Sequence, residues 1–300
     1  MSTLAGKLTG FGYSHDGVDN TGSKRLTLEG PNAGTDGTGD RNAEAVITQG
    51  VTIDDADDVT LDGFTVERDV AGQDSVVRVG ENLGANNDRT FVTGVTVKNN
   101  IITADPTGGA DAVMNGVGLE ATVDMTVQNN LIEKADSDNG PITGVGEFNS
   151  EITNLDISQN TIETDTGVYL GGPGTVGTLT ADISDNEFNI ESDENGIAID
   201  ANTDVTIDGN VINILGDSEA RGVTILETNS EQTITNNEFN DVGGNSFAHV
   251  ADQPALNENG QAIDDISAVL NDNGNTFDPA GALAGFPDGP DAAIQPDNNA

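Results

Sequence analysis

The chain has 300 residues, enough for one large domain or two ordinary ones. It carries 52 Asp and Glu residues against 10 Lys and Arg residues, for a formal net charge of -42, and this acidity excludes a nucleic-acid partner because phosphates must be neutralised by clustered cations. The absence of cysteine excludes disulfides and thiolate metal sites. No apolar run approaches the roughly 18 residues of a membrane span, so membrane insertion is not expected.

The acidity is typical of a protein adapted to very high salt. At molar salt the Debye length falls to about 3 Å, which screens the mutual repulsion of the carboxylates. Lysine is scarce and tryptophan is absent, in agreement with this interpretation. A calcium-loaded surface is the alternative, whereas regular apolar patterning argues against a disordered acidic chain.

Residues 1–25 are rich in glycine and are predicted to cap or attach one end of the fold. Residues 1–16 lack a basic start followed by an apolar core, which favours a protein not exported by that route. No Asn-x-Ser/Thr triplet occurs in the chain, which weighs against a cell-envelope glycoprotein. Nine of the ten cations precede residue 135, so the amino-terminal third is the better surface for docking another protein.

The densest acidic cluster lies within a predicted turn and consists of Asp54, Asp55, Asp57 and Asp58. Grouped carboxylates suit hard cations, so the cluster is a candidate calcium site. A solvated turn on an acidic surface is the alternative, and it is favoured because aspartate is abundant on the whole surface. No other cofactor is expected.

A short motif recurs from residue 59 onward, as in the two copies Val95–Ile102 (VTVKNNII) and Met125–Ile132 (MTVQNNLI). Further copies begin at Val59, Leu155, Ala181, Val205 and Gln232. The shared asparagine falls at Asn100, Asn130, Asn160, Asn186, Asn210 and Asn237, with a degraded last copy at Asn275. The first six lie 24 to 30 residues apart, and the Val59 copy has Phe64 instead.

Each copy predicts a short strand, a sharp bend and a second strand. A third apolar segment follows after a variable gap, as at Gly116–Leu119 and Gly196–Ile199. Three strands per repeat make one coil, and stacked coils pair each strand in parallel with its copies about 4.8 Å away. The sequence therefore predicts an all-β, parallel β-helix solenoid of roughly eight or nine coils.

The recurring asparagines are predicted to form a structural ladder. Asparagine tolerates the left-handed conformation that a sharp bend requires, and its amide can bond to the same residue in the next coil. Because a solenoid interior accounts fully for their spacing, we expect no ligand role for them.

These motifs resemble the right-handed parallel β-helix superfamily of pectate-lyase-like proteins, with its asparagine-bearing turns. The resemblance covers residues 26–277, and the Ala, Gly, Pro and Asp residues of 278–300 indicate an extended or disordered tail. It implies a fold more than a function, since the superfamily includes lyases, hydrolases, epimerases, surface proteins and viral tailspikes. The spikes among its members imply a homo-oligomer, such as a trimer.

Enzymes of this superfamily place a cation or histidine beside carboxylates on the middle coils. Outside the cation-rich amino-terminal third this chain offers Arg221 and His249, with His15 near its start. An ordinary ion pair or a structural position accounts for each of these, so no catalytic or cofactor-binding residue is predicted.

The expected function is a non-enzymatic structural or adhesive one, specifically that of a virion surface component (turret, spike or tail fibre) of a virus of a halophilic archaeon. Such a protein would dock other virion proteins through its amino-terminal region and recognise a glycan or glycoprotein of the host surface. The alternatives are a secreted polysaccharide lyase or glycoside hydrolase and a cell-surface repeat protein, which would be extracellular.

Overall fold

A computed structural model describes most of the repeat region and short parts of both ends. The described residues are 3–4, 25–54, 56–70, 74–80, 91–106, 114–135, 140–147, 152–171, 179–191, 194–199, 203–215, 220–226, 233–242, 248–253, 274–278 and 294–296. They form 28 β-strands, and no helix occurs among them.

The strands are short, and most have between two and six residues. In chain order they are β1 (Thr3–Leu4), β2 (Leu26–Glu29), β3 (Val46–Ile47), β4 (Val51–Ile53), β5 (Val59–Asp62), β6 (Thr65–Val70), β7 (Asp74–Val79), β8 (Val92–Thr93), β9 (Thr96–Lys98), β10 (Ile101–Pro106), β11 (Met114–Leu119), β12 (Thr122–Gln128), β13 (Leu131–Lys134), β14 (Ile142–Glu147), β15 (Ile152–Ser158), β16 (Thr161–Thr164), β17 (Thr166–Leu170), β18 (Leu179–Ser184), β19 (Glu187–Ile190), β20 (Asn195–Ile199), β21 (Thr203–Asp208), β22 (Val211–Ile214), β23 (Arg221–Leu226), β24 (Thr233–Thr235), β25 (Glu238–Asp241), β26 (Ala248–Gln253), β27 (Thr276–Asp278) and β28 (Ile294–Pro296).

Three parallel sheets run the length of the structure. Sheet 1 contains β2, β5, β8, β9, β12, β15, β18, β21 and β24. Sheet 2 contains β1, β3, β6, β10, β13, β16, β19, β22, β25 and β27. Sheet 3 contains β4, β7, β11, β14, β17, β20, β23, β26 and β28. The chain visits the sheets in turn and pairs each strand with its copy in the next coil, which confirms the predicted parallel β-solenoid.

The core is a set of stacked aliphatic columns. In sheet 1, Val127 pairs with Ile157, Ile157 with Ile183 and Ile183 with Ile207, and all four side chains are fully buried. Burying such a side chain contributes about 1.5–3 kcal/mol. The alternation of these residues with polar ones is what the repeat motif encodes, because successive side chains of a strand point to opposite faces.

The bend between sheets 1 and 2 differs in one detail from the prediction. The left-handed conformation belongs to the residue before each ladder asparagine, as in Asn99 (φ 56°), Gln159 (φ 56°) and Asp185 (φ 55°). The assignment of that conformation to the ladder asparagines themselves was wrong. The preceding residue is exposed at Gln159 and Asp185 and buried at Asn99, whereas the ladder asparagine turns its amide into the structure.

The regular part of the solenoid is shorter than expected. Six buried asparagines, from Asn100 to Asn237, delimit five coils with complete bends. The prediction of roughly eight or nine coils was therefore too high, and about five is the count of regular coils. Short strands extend the sheets at both ends, but Phe64 replaces the asparagine at one end and the last interval, to Asn275, lengthens to 38 residues.

A segment that the sequence presents as a loop packs against the bends. Residues 30–44, here called the strap, run across three successive bends at the corner of sheets 1 and 2. Gly37 lies so close to the bends that a Cβ there would come within 2.3 Å of the backbone nitrogen of Leu131. The guanidinium of Arg41 donates to the carbonyl oxygen of Asn99 at 2.7 Å and to the carboxylate of Glu44 at 2.7 Å.

The predicted boundaries at residues 25/26 and 277/278 stay predictions. Most of residues 1–25 and of 278–300 lie outside the described part, and from them the structure describes residues 3–4, 25, 278 and 294–296. Of these, β1 adds to sheet 2 beside β3, and β28 adds to sheet 3 beside β26.

Candidate functional site on sheet 3

The side-chain amides of the ladder asparagines form hydrogen bonds with one another and with the backbone. Nδ2 of Asn160 donates to Oδ1 of Asn186 at 3.0 Å and to the carbonyl oxygen of Val127 at 2.8 Å. The same pattern links Asn100, Asn130, Asn160, Asn186, Asn210, Asn237 and Asn275. Their amides are bonded within the fold, so they offer no free groups to a ligand.

The candidate calcium cluster is only partly described. Asp55 lies outside the described residues, and Asp54 has a polar partner of its own. Oδ1 of Asp57 accepts the backbone N–H of Thr93 at 2.8 Å, and Asp58 adopts the left-handed conformation with φ 53°. Within the described part of the chain no three acidic or histidine side chains are grouped to hold a metal ion. Calcium binding at this turn stays a prediction.

The two histidines and Arg221 are not brought together by any described contact. His15 lies outside the described residues, and His249 lies in strand β26. Arg221 begins strand β23, where its backbone pairs with Asn195 and Ala248, and its N–H donates to the carbonyl oxygen of Glu194 at 3.0 Å.

A different group of residues stands out on the outer face of sheet 3. Arg78, Gly118, Gly146 and Tyr169 occupy neighbouring positions on β7, β11, β14 and β17, in register. They face away from the core, because the flanking residues Val117 and Val145 belong to it. The two glycines leave a break in the row of side chains between Arg78 and Tyr169, about 14 Å long or three strand spacings, here called the depression.

Asn115 leans into this depression. A Cβ on Gly146 would lie 2.5 Å from Oδ1 and 2.9 Å from Nδ2 of Asn115, so the side-chain amide rests directly over the glycine. Asn115 is only 3% exposed, and among the residues that the structure describes its Nδ2 has no hydrogen-bond partner. A buried amide donor without a partner costs about 1–3 kcal/mol, so an acceptor oxygen from a ligand or water would be stabilising there.

One charged pair lies beside the depression, and a second lies at the corner of sheets 2 and 3. Nε of Arg78 lies 3.4 Å from Oε1 of Glu120, whose side chain is 6% exposed. At the corner of sheets 2 and 3, Nζ of Lys134 donates to Asp165 at 2.9 Å, and Asp165 also accepts the backbone N–H of Ile142 at 2.8 Å. Electrostatic interactions are stronger at such partly desolvated positions than in bulk water.

The arrangement suits a polar, neutral or anionic ligand with hydroxyl or carboxylate oxygens. Asn115 and Arg78 offer donors, Glu120 offers an acceptor, and Tyr169 closes one end with a half-buried ring. An aromatic ring beside hydrogen-bonding groups is suited to a ligand with one apolar face and a polar rim, as sugars have.

The sequence contains a faint signal for this depression. In the third strand of the repeat, the position of Gly118 and Gly146 holds Ala198 and Thr224 in later coils. Glycine at this position in two consecutive coils means that no side chain projects there. The two glycines can be recognised as neighbours only when the register of sheet 3 is known.

The comparisons with known proteins add no relative. No protein-family model, no curated protein and no solved structure matches the chain. Within the described residues no helix is long and apolar enough to cross a membrane.

Proposed function

We propose that the chain is a non-enzymatic, adhesive β-solenoid of the pectate-lyase-like kind, from a halophilic source, which binds a glycan in the depression of sheet 3. More specifically, it would be a surface component of a virus of a halophilic archaeon, such as a turret, spike or tail fibre, and the glycan would belong to the host surface. A trimeric assembly on the particle belongs to the same proposal.

The observation that carries this proposal is the buried Nδ2 of Asn115 above Gly146, between Arg78 and Tyr169, which has no hydrogen-bond partner in the described part of the chain. A rigid floor presents these groups in a fixed geometry, which reduces the ordering cost of binding. The ladder bonds supply the rigidity, because every coil is tied to its neighbours through buried side chains. The charge of -42 suits a surface that works in molar salt.

Binding to envelope glycans tests the proposal. The full chain, kept in about 3 M KCl to screen its charges, is applied to a glycan array and to intact haloarchaeal cells. We expect saturable binding that falls at least about tenfold in Gly146→Ala, because the added methyl displaces the amide of Asn115. Asn189→Ala, on the outer face of sheet 2, is the matched control and should bind like the unmodified chain.

Two outcomes would remove the proposal. One is the absence of binding to every glycan and cell type, and the other is binding that Gly146→Ala leaves intact. Antibody labelling of purified haloarchaeal virus particles tests the virion assignment separately. Unlabelled particles would contradict the virion assignment but not the binding of a glycan.

The second candidate is a polysaccharide lyase or glycoside hydrolase, favoured by Glu120 and Arg78 at the border of the same depression. The carboxylate could accept a proton from a substrate, and the guanidinium beside it could stabilise the negative charge that develops. Release of new reducing or unsaturated sugar ends from a polysaccharide panel in molar salt, lost in Glu120→Gln, would establish this candidate and overturn the non-enzymatic one.

A further inference from the structure

Four acceptors at three bends take hydrogen bonds from the strap, beside the carbonyl oxygens of Asp62 and Phe64, which take Gly30 N–H at 2.7 Å and Arg41 Nη2 at 3.3 Å. Gly34 N–H donates to Oδ1 of Asp62 at 3.0 Å, and Asn32 N–H to the carbonyl oxygen of Gly63 at 3.4 Å. The two remaining acceptors are the carbonyl oxygens of Asn99, which takes Arg41 Nη1 at 2.7 Å, and of Asn129, which takes Gly37 N–H at 2.9 Å. The three bend residues are left-handed, so their carbonyl groups point the same way.

The same acceptor set recurs farther along the rod. The sequence VTLDG of residues 59–63 returns as VTIDG at 205–209, which makes Asp208 and Gly209 the counterparts of Asp62 and Gly63. Nδ2 of Asn236 donates to Oδ1 of Asp208 at 2.7 Å, as Nδ2 of Asn99 does to Asp62 at the same distance. The bend residues are again left-handed, with φ 69° at Gly209, 54° at Asn236 and 80° at Gly274.

One copy of the set is buried, and the other is more exposed. Asp62, Gly63 and Asn99 are buried beneath the strap, whereas Asp208 and Gly209 are half-buried and Asn236 is exposed. In the part of the chain that the structure describes, no group donates to the carbonyl oxygens of Gly209, Asn236 or Gly274. Hydrogen bonds from Thr235 and Asn236 hold the pKa of Asp208 below its ordinary value, so it remains an anionic acceptor.

We propose that Asp208, Gly209, Asn236 and Gly274 form a second strap-receiving site, which takes an extended, glycine-containing segment of a partner protein that carries an arginine. The glycines and the arginine that we expect in the partner segment are those with which the strap binds its own bends. Its glycines allow a backbone approach so close that a Cβ on Gly30 would lie 2.1 Å from the carbonyl oxygen of Gly63. Its arginine supplies several donors to carbonyl oxygens, and a cation suits this acidic rod.

A synthetic peptide with the sequence of residues 30–44 tests the site on the full chain. The peptide carries a paramagnetic label, and relaxation enhancement of the amides near residues 208–210, 236 and 274 reports binding even when it is weak. In Gly209→Asn the new side chain occupies the path of the segment, as a Cβ on Gly63 would meet Ala33 N at 2.1 Å. Asparagine suits the left-handed bend, as Asn99 and Asn236 show. Gln159→Asn is the control at a bend outside the set.

We expect the peptide to bind the unmodified chain and Gly209→Asn to weaken binding at least about tenfold, as loss of a charge-assisted contact and a backbone contact implies. Gln159→Asn should leave binding unchanged, and a peptide with Arg41→Ala should bind at least about tenfold less tightly. No enhancement at about millimolar peptide would overturn the proposal. Equal binding by Gly209→Asn would also overturn it, since the peptide would then be occupying another surface.

Discussion

Nδ2 of Asn130 donates to Oδ1 of Asn160 at 3.0 Å, joining two residues that lie 30 positions apart in the sequence. The backbone N–H of Asn130 donates to the same oxygen at 3.0 Å, and Nδ2 also reaches the carbonyl oxygen of Val97 at 2.9 Å. One side chain thus connects three successive coils, and the contacts are buried.

Replacement of Asn160 by leucine should destabilise the fold strongly. The change leaves the N–H groups of Asn130 without their acceptor and the carbonyl oxygen of Val127 without a donor, all in a buried column. We expect a loss of about 3–5 kcal/mol in the free energy of unfolding, measured by urea denaturation in molar salt. Asn189→Leu on the outer face of sheet 2 should cost less than about 1 kcal/mol. Equal losses would show that the ladder is not a stabilising element.

Gly167→Ala should also destabilise the protein, for a steric reason. The added Cβ would lie 2.3 Å from the carbonyl oxygen of Gly196 and 2.5 Å from the ring of Phe188. Forcing the chain apart at this corner of sheets 2 and 3 should cost about 2–4 kcal/mol, measured as a shift in the urea midpoint. Gly34→Ala meets nothing within 4 Å and carries only the strain of φ 76°, so it should cost about 1 kcal/mol.

Arg41→Met should release the strap while leaving the solenoid folded. The guanidinium of Arg41 is 6% exposed and bonds to the carbonyl oxygens of Thr35 and Asn99, contacts that a thioether cannot make. Hydrogen exchange at the amides of Gly34 and Gly37 should accelerate at least about tenfold, whereas exchange in the ladder should not change. Arg25→Met, at an exposed arginine outside the strap, is the control. Unchanged exchange at Gly37 would contradict the role of Arg41.

Acid should loosen the strap in the unmodified chain. The hydrogen bond from Arg41 is the main reason why the pKa of Glu44 is lowered from 4.5. Because the folded pKa is the lower one, the stabilisation by Glu44 is present above pH 4.5 and is lost as pH falls through the lowered value. Exchange at Gly37 should accelerate in that acid range relative to the intrinsic rate of a free peptide. Glu44→Gln should remove this extra acceleration.

Asp182→Asn should stabilise the chain near neutral pH and low salt. Burial raises the pKa of Asp182 above 3.8, and Asp156, its partner in register on sheet 1, raises it further. A raised folded pKa means that the contribution of Asp182 is favourable below pH 3.8 and is lost as pH rises through the raised value. Tm should therefore rise in the variant, and less so in about 3 M KCl, where screening is strong. Asp204→Asn, which faces Thr180 in register, is the control of equal charge.

The stacking of the coils could be predicted because apolar and polar residues alternate within each copy of the motif and the copies recur at similar intervals. The identity of the left-handed residue could not be read from copies such as Asn99–Asn100, where both positions hold asparagine. The variable copies contain the missing information. Gln159, Asp185 and Gly209 fill the left-handed position, which needs only tolerance of that conformation. In these copies the next position is asparagine, because a side-chain amide completes the ladder.

The strap and the depression on sheet 3 could not be predicted because both depend on contacts between distant segments. Gly37 looks like an ordinary loop glycine until it is seen against Leu131. Asn115 and Gly146 belong to different coils and come together only through the register of β11 and β14. The sequence carries the residues of these sites but not their alignment.

Disulfide mapping between neighbouring coils is the most direct test of the stacked, in-register architecture. The chain has no cysteine, so Thr126→Cys/Asp156→Cys introduces a single pair at positions that face each other on β12 and β15. Their Cα atoms should lie about 5 Å apart, within the range that a disulfide spans. We expect this pair to cross-link rapidly and completely. The control Thr126→Cys/Ser158→Cys, whose positions are not paired, should cross-link little. Cross-linking that is absent in the first pair, or equal in both, would contradict the parallel β-solenoid.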